Sequence, residues 1–297
     1  TSAEDLANQI VSAGGTPFRV VLSVSHDNFT EVVGGTQLCI QRECEQVQAS
    51  GAVHVNIHPR IAMLTLAPEA NSRDLQVVAV VNGTVAGLIS YGDLEVAIRS
   101  VKEKGANVSV VLHQMLGHVP ERISELVTAT KRSACWVWLH DYFSICPGFN
   151  LLRNGISYCG APPAKSQSCT ICRYGTERLS HQIRIKTLFE RIQPKVLSPS
   201  EATADIWRRR SGLSFEKIDI HPHVNLGWTD RETVLPLVSS SPVKVGFLGV
   251  PASHKGWDVF SELFLKHGRN GRFEFIYLGS YEVSEAMERK SVSVTVD

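Results

Sequence analysis

Short apolar runs alternate with amphipathic stretches along most of this chain. Phe18–Val24 is rich in β-branched apolar residues and predicts a buried strand. Similar runs at Val53–Ile57, Leu75–Val81, Val108–Leu112, Cys135–Leu139, Lys195–Leu197 and Phe215–Ile220 predict further strands. Helical patterns separate them. Thr36–Gln48 follows a Gly-Gly break, and Tyr91–Lys104 carries Leu94, Ala97, Ile98 and Val101 on one face. Pro120–Lys131 has proline at its start. Ser180–Ile192 is the next helix, and Ser200–Arg210 begins at a serine suited to cap it. The basic run Arg208–Arg210 falls at that helix's carboxyl end, where cations are favoured. Near-continuous apolar strands separated by helices predict a parallel sheet covered on both faces, an α/β fold with a Rossmann-like N-terminal domain.

The pattern changes after residue 224. Residues 225–242 are richer in Ser, Thr, Pro and charge and read as a linker. A strand at Val243–Leu248, a helix at Trp257–Lys266 and a strand at Phe273–Leu278 then make a single βαβ unit over 243–297. One such unit cannot bury both faces of its sheet, so a second Rossmann-like domain is expected to start here and remain incomplete. The chain also lacks an initiator Met, so its start is expected to be trimmed.

Composition narrows the function classes. Lys+Arg number 30 and Asp+Glu 29, and no basic stripe points to a nucleic-acid partner. No apolar run reaches the length of a membrane span, and the N-terminus lacks a signal-peptide layout. A cytoplasmic location follows as the expectation. Peripheral membrane contact stays open, although no amphipathic basic helix argues for it. In that setting the seven cysteines favour metal or free thiols over a disulfide framework.

Candidate chemistry follows from strand ends, where open parallel sheets gather their ligands. Gly34-Gly35 precedes a helix and lets backbone N–H groups approach an anion closely; a loop that only needs positive φ is an equal alternative. His113 and His118 follow the strand at Val108, and His140-Asp141 follows the strand at Cys135. An imidazole there can hydrogen-bond a substrate hydroxyl, and Asp141 either takes part or orients the loop. A long loop from Tyr142 to Gly175 holds Cys146, Cys159, Cys169 and Cys172, spaced C-x12-C-x9-C-x2-C. A structural Zn2+ is favoured there; a disulfide or a reactive thiol pair is the alternative. Cys39, Cys44 and Cys135 read as core or surface thiols. Gly249, Lys255 and Gly256 lie between a strand and a helix, where a Lys ammonium and helix N–H groups suit a diphosphate; a solvated Lys on a turn is the alternative.

Taken in order, Gly34-Gly35, His140-Asp141, Val196-Leu-Ser-Pro-Ser200 and Gly246-Phe-Leu-Gly249…His254-Lys-Gly256 resemble a retaining glycosyltransferase of the GT-B fold, family 4 type. The resemblance implies two Rossmann-like domains, the first mainly holding a glycan or lipid-linked acceptor and the second a UDP-, GDP- or dTDP-sugar donor. It implies that Gly34 and Gly35 lie beside the donor diphosphate, that His140 sits near the reacting sugar carbon, and that Lys255 is a phosphate cation. No catalytic metal is implied. This chain departs from the family in two places: it stops before the late second-domain pair of glutamates separated by seven residues, which grips the donor, and Gly249-Val250 stands where an arginine often precedes the lysine. A nucleotide-sugar 2-epimerase of the same fold and a non-enzymatic, metal-stapled α/β binding module remain the alternative readings.

Overall fold

The computed structural model describes residues 1–130, 134–224, 242–279 and 293–295. In chain order the elements are α1 (Ala3–Ala13), β1 (Arg19–Val24), α2 (Gly35–Ala49), β2 (Val53–Pro59), β3 (Gln76–Val81), β4 (Thr84–Ser90), α3 (Tyr91–Glu103), β5 (Asn107–Leu112), α4 (Pro120–Ala129) and β6 (Cys135–Trp138). There follow β7 (Leu152–Arg153), β8 (Ser157–Tyr158), α5 (Gln167–Thr170), α6 (Gly175–Ile192), β9 (Lys195–Ser198), α7 (Glu201–Ser211) and β10 (Lys217–Ile220). The last group is β11 (Val243–Leu248), α8 (Trp257–His267), β12 (Phe273–Leu278) and β13 (Ser293–Thr295). The chain divides into two compact units, Thr1–Arg153 with Cys159–Asn225, and Asn154–Tyr158 with Leu226–Asp297. The stretch expected to be a linker lies, apart from Pro242, outside the described residues.

The first unit is an α/β fold around an eight-stranded sheet ordered β10-β9-β6-β5-β1-β2-β3-β4. Neighbours from β10 through β2 run parallel, as the apolar runs predict. The β2–β3 and β3–β4 pairs are antiparallel. Strand β4 was not expected. Asn82 and Gly83 both adopt positive φ, 49° and 83°, the backbone a tight hairpin turn needs. Helix α1 is a second addition, started by a capping box in which Ser2 and Asp5 cap each other. The predicted cap at Ser200 forms, its hydroxyl accepting from the Thr203 N–H at 3.2 Å. Among the described residues no helix is long and apolar enough to cross a membrane.

Side-chain alternation divides the two faces of this sheet. Val20, Leu22 and Val24 of β1, Val53, Val55 and Ile57 of β2, and Val108, Val110 and Leu112 of β5 join the main core with residues of α1, α3, α4 and α6. The intervening positions form the other face, partly covered by α2. There Ile40 and Cys44 of α2 meet Val78 and Val80 of β3 in a small apolar cluster. Much of the remaining face is polar yet buried: Ser23, His54, Asn56, His58 and His113.

The second unit contains a parallel sheet ordered β11-β12-β13. Phe247, Phe260, Phe264, Phe275 and Tyr277 form its core. Strands β11 and β12 and helix α8 match the predicted βαβ unit, and β13 extends it.

Candidate functional site

Strand β1 has β2, its successor in this sheet, on one side and β5 on the other, so the strand order reverses at β1. The carboxyl ends of β1 and β5 therefore flank a topological switch point, the usual ligand position in open α/β sheets. His113 sits there, its N–H donating to the Val24 carbonyl at 2.9 Å. The same alternation that buries Val137 and Leu139 puts Trp138 and His140 on the polar face. The His221–His223 segment joins them through the His221 N–H to the Ser198 carbonyl and through Arg42 Nη1 to the His223 carbonyl.

These side chains form a continuous row. Glu43, on α2, bonds His54 Nε2 at 3.1 Å and His113 Nε2 at 3.3 Å. His113 Nδ1 lies 3.0 Å from His140 Nε2, and His140 Nδ1 lies 3.1 Å from His223 Nε2. The carboxylate at the end of the row accepts from His113 Nε2–H, and the geometry then lets His140 donate to His113 and His223 to His140. The rings also stack. Trp138 and His140 are 5.3 Å apart at 11°, and His140 and His113 are 5.3 Å apart at 13°.

Electrostatics separate the two ends of the row. Burial opposes ionisation of Glu43, but His113 and His54 outweigh it and hold the carboxylate far below its usual range. Burial likewise opposes protonation of His54; the Cys44 sulfur and Glu43 prevail and raise it to about 9. The Glu43–His54 end is thus an ion pair at neutral pH. His140 behaves oppositely: burial, with His113 and His223 beside it, lowers it to about 2. It is a neutral, oriented imidazole, able to hydrogen-bond a hydroxyl. At the ends of β1 and β2, burial lowers His26 and His58 as well. His26 Nδ1 and His58 Nε2 are buried without a hydrogen-bond partner.

The structure brings His113 and His140 together, and it engages two other predicted residues in the scaffold. His118 is fully buried. It donates from Nε2 to the Ser25 carbonyl at 2.6 Å and accepts at Nδ1 from the Tyr91 hydroxyl at 2.7 Å, leaving no nitrogen for an acceptor substrate. Asp141 accepts from Gln114 Nε2 at 2.6 Å and from the Phe143 N–H at 2.8 Å. It shapes the loop, the second of the two roles open to it, and burial raises it to about 6. Gly34 caps α2 with φ −169° and Gly35 begins it. Neither has the positive φ that the alternative reading of the pair required. A Cβ at Gly34 would lie 2.3 Å from Gln37 Oε1, so any larger residue there would displace the Gln37 amide. Gln37 in turn bonds Asp27 through Nε2 at 2.7 Å.

In the second unit Gly249 and Gly256 adopt φ of 91° and 86°, and Lys255 lies exposed in the 3-10 turn that precedes α8. Cys146, Cys159, Cys169 and Cys172 are free thiols gathered round one cavity. Cys39, read from sequence as a core or surface thiol, is free and half-buried, and its sulfur lies with nitrogens of His140 and His223 in a group of ligand atoms all within 4.8 Å of one another. A cavity of about 760 Å3 lies at the opposite, amino-terminal edge of the sheet beside Cys135, Gln193 and Glu216, away from these histidines.

Glu43, His54, Cys39 and His223 escaped the sequence reading. Two signals pointed to His54 and His223, and none to Glu43 or Cys39. His54-Val-Asn56-Ile-His58 alternates polar and apolar positions inside a buried run, and His221-Pro-His223 follows a strand as His140 does. No known family model and no curated protein matches this chain.

Proposed function

We propose that the chain carries an acceptor-side unit and donor-side elements of a retaining glycosyltransferase. One observation carries this reading: His140 is held neutral and oriented at the carboxyl edge of a parallel sheet, next to the switch point, by the row that ends at Glu43. A neutral imidazole in that place can hydrogen-bond a sugar hydroxyl near the reacting carbon without adding charge to a site that must stabilise a developing cation. In the second unit, Lys255 and the loop at Gly249 and Gly256 would hold a donor phosphate. In the first unit, the N–H groups at Gly34 and Gly35 would do the same at the start of α2. The leaving diphosphate would help to deprotonate the acceptor hydroxyl, so the transfer needs no bound metal ion.

A thermal-shift series with UDP-, GDP- and dTDP-sugars and the free nucleoside diphosphates tests this. One donor at about a hundred times its Kd should stabilise the protein by about 2.7 kcal/mol. Lys255→Ala should weaken donor and free diphosphate alike. His140→Ala should abolish transfer by the intact enzyme and the preference for donor over free diphosphate, while the fold is kept. Wild-type turnover in His140→Ala, or no stabilisation by any donor, overturns the reading.

The Cys39, His140 and His223 group favours a second reading, a metal-holding α/β module. The His140–His113–Glu43 chain is the outer support such ligands use. Zinc bound by the wild type and lost from His223→Ala, with no donor binding, would establish it instead.

A further inference from the structure

The segment from Tyr142 to Gly175 keeps a defined shape with little regular structure, having only the two-residue strands β7 and β8 and the four-residue helix α5. Something within it must replace the missing hydrogen-bond ladders. Cys146, Cys159, Cys169 and Cys172 line a single cavity of about 20 Å3, room for one water-sized species. Cys146 and Cys169 are buried, and Cys159 and Cys172 are half-buried. The surrounding backbone is closely packed. A Cβ at Gly175 would lie 1.8 Å from the Cys169 carbonyl oxygen, and one at Gly148 would lie 2.6 Å from the Tyr174 ring.

Arg178, on α6, decides what the cavity is for. It is only 3% exposed, its Nη1 donates to Cys169 Sγ at 2.8 Å, and its Nε has no partner. None of the ion pairs among the described residues gives it a carboxylate. A guanidinium stays protonated in proteins, and a buried cation without a counter-charge is strongly disfavoured. The residues lining the cavity include no acid, so cysteine thiolate is the only available negative charge. Four thiols leave the cation uncompensated, and so do two disulfides. Four thiolates around one divalent ion carry two net negative charges, of which Arg178 offsets one.

We propose that Cys146, Cys159, Cys169 and Cys172 hold one structural Zn2+ ion, with Arg178 as the buried counter-charge beside it. A tetrahedral zinc with bonds of about 2.3 Å sets its sulfurs roughly 3.8 Å apart. The four sulfurs ring the cavity without the close grouping of Cys39, His140 and His223, so binding draws them inward. The four thiol protons leave to solvent as the ion enters.

The test uses the intact chain purified without chelator. Elemental analysis should give about one zinc per chain. It should persist in Cys39→Ser and His223→Ala, which separates this site from the histidine row, and be lost from Cys172→Ser together with thermal stability. On wild-type protein, so that misfolding of a variant cannot decide the matter, mercurial titration should release the zinc as four thiols react. Iodoacetamide should reach those four thiols only after chelation. Three results would overturn the proposal: a mass lowered by four hydrogens, showing two disulfides; four loop thiols alkylated freely in metal-free folded protein; or zinc that survives Cys172→Ser and vanishes in Cys39→Ser.

Discussion

Glu43→Gln is the most informative single change in the histidine row. It keeps the shape of the side chain and removes its charge. The native structure raises His54 from the ordinary 6.5 to about 9, and a rise of that size corresponds to about 3 kcal/mol of linked stability. The Cys44 sulfur supplies part of it. Glu43 supplies the rest through a hydrogen bond and its charge, so the variant should lose roughly 1–3 kcal/mol of this contribution. The sign follows from the raised pKa. Between pH 6.5 and 9 the native state keeps a proton on His54 that the unfolded chain releases. The contribution is therefore complete below about pH 6.5 and is lost as pH rises through 9. Urea unfolding, followed by far-UV circular dichroism between pH 6 and 9.5, measures it. The gap between wild type and Glu43→Gln should be widest near pH 6 and shrink toward pH 9.5. A remaining, pH-independent part would come from the lost contact with His113. A gap that stays constant across the range, or widens with pH, refutes the ion-pair account of this end of the row.

Two further outcomes follow from buried groups elsewhere. Burial lowers His118 and His181 to about 4 each, so below pH 6.5 the unfolded chain takes up protons that the native state refuses. Stability should fall as pH drops from 6.5 toward 4, and His118→Gln should be less stable at neutral pH yet show a shallower acid loss in the same urea series. Trp207 is fully buried against Phe189 and Phe215, and its Nε1–H donates to Ser144 Oγ at 2.9 Å. Trp207→Ala should cost about 3–5 kcal/mol, read as a lowered urea midpoint; a loss below 1 kcal/mol would show that α7 is not anchored by this ring.

The parallel strands were legible because burial on both faces forces nearly continuous apolar runs, which few other structures require. Strand β4 was lost for a local reason: Val77–Val81 and Val85–Ile89 flank Asn82-Gly83, a hairpin signal hidden by reading for parallel strands alone. Helix α1 was equally local, in Ser2 and Asp5. The site divides differently. His113 and His140 were visible because each follows a strand, and position on a parallel sheet is enough to place a side chain on its rim. Glu43 gives no such signal. It is one polar residue among many on α2, and its partner His113 is 70 positions away. Only the packing of α2 against β2 and β3 joins them.

His118 shows the same limit from the other side. In sequence it is as good a rim residue as His113, five positions further along the same loop. What separates them is Tyr91, at the start of α3, whose hydroxyl fills His118 Nδ1 while the Ser25 carbonyl fills Nε2. A histidine with both nitrogens filled by the fold is part of the scaffold. His140 has both nitrogens filled by other histidines, one leading back to Glu43 and the other to half-buried His223. Its bond to His223 can be exchanged for a ligand's without leaving a main-chain group unpaired. That difference in partner, and not the histidine itself, makes His140 the residue on which a function can be built.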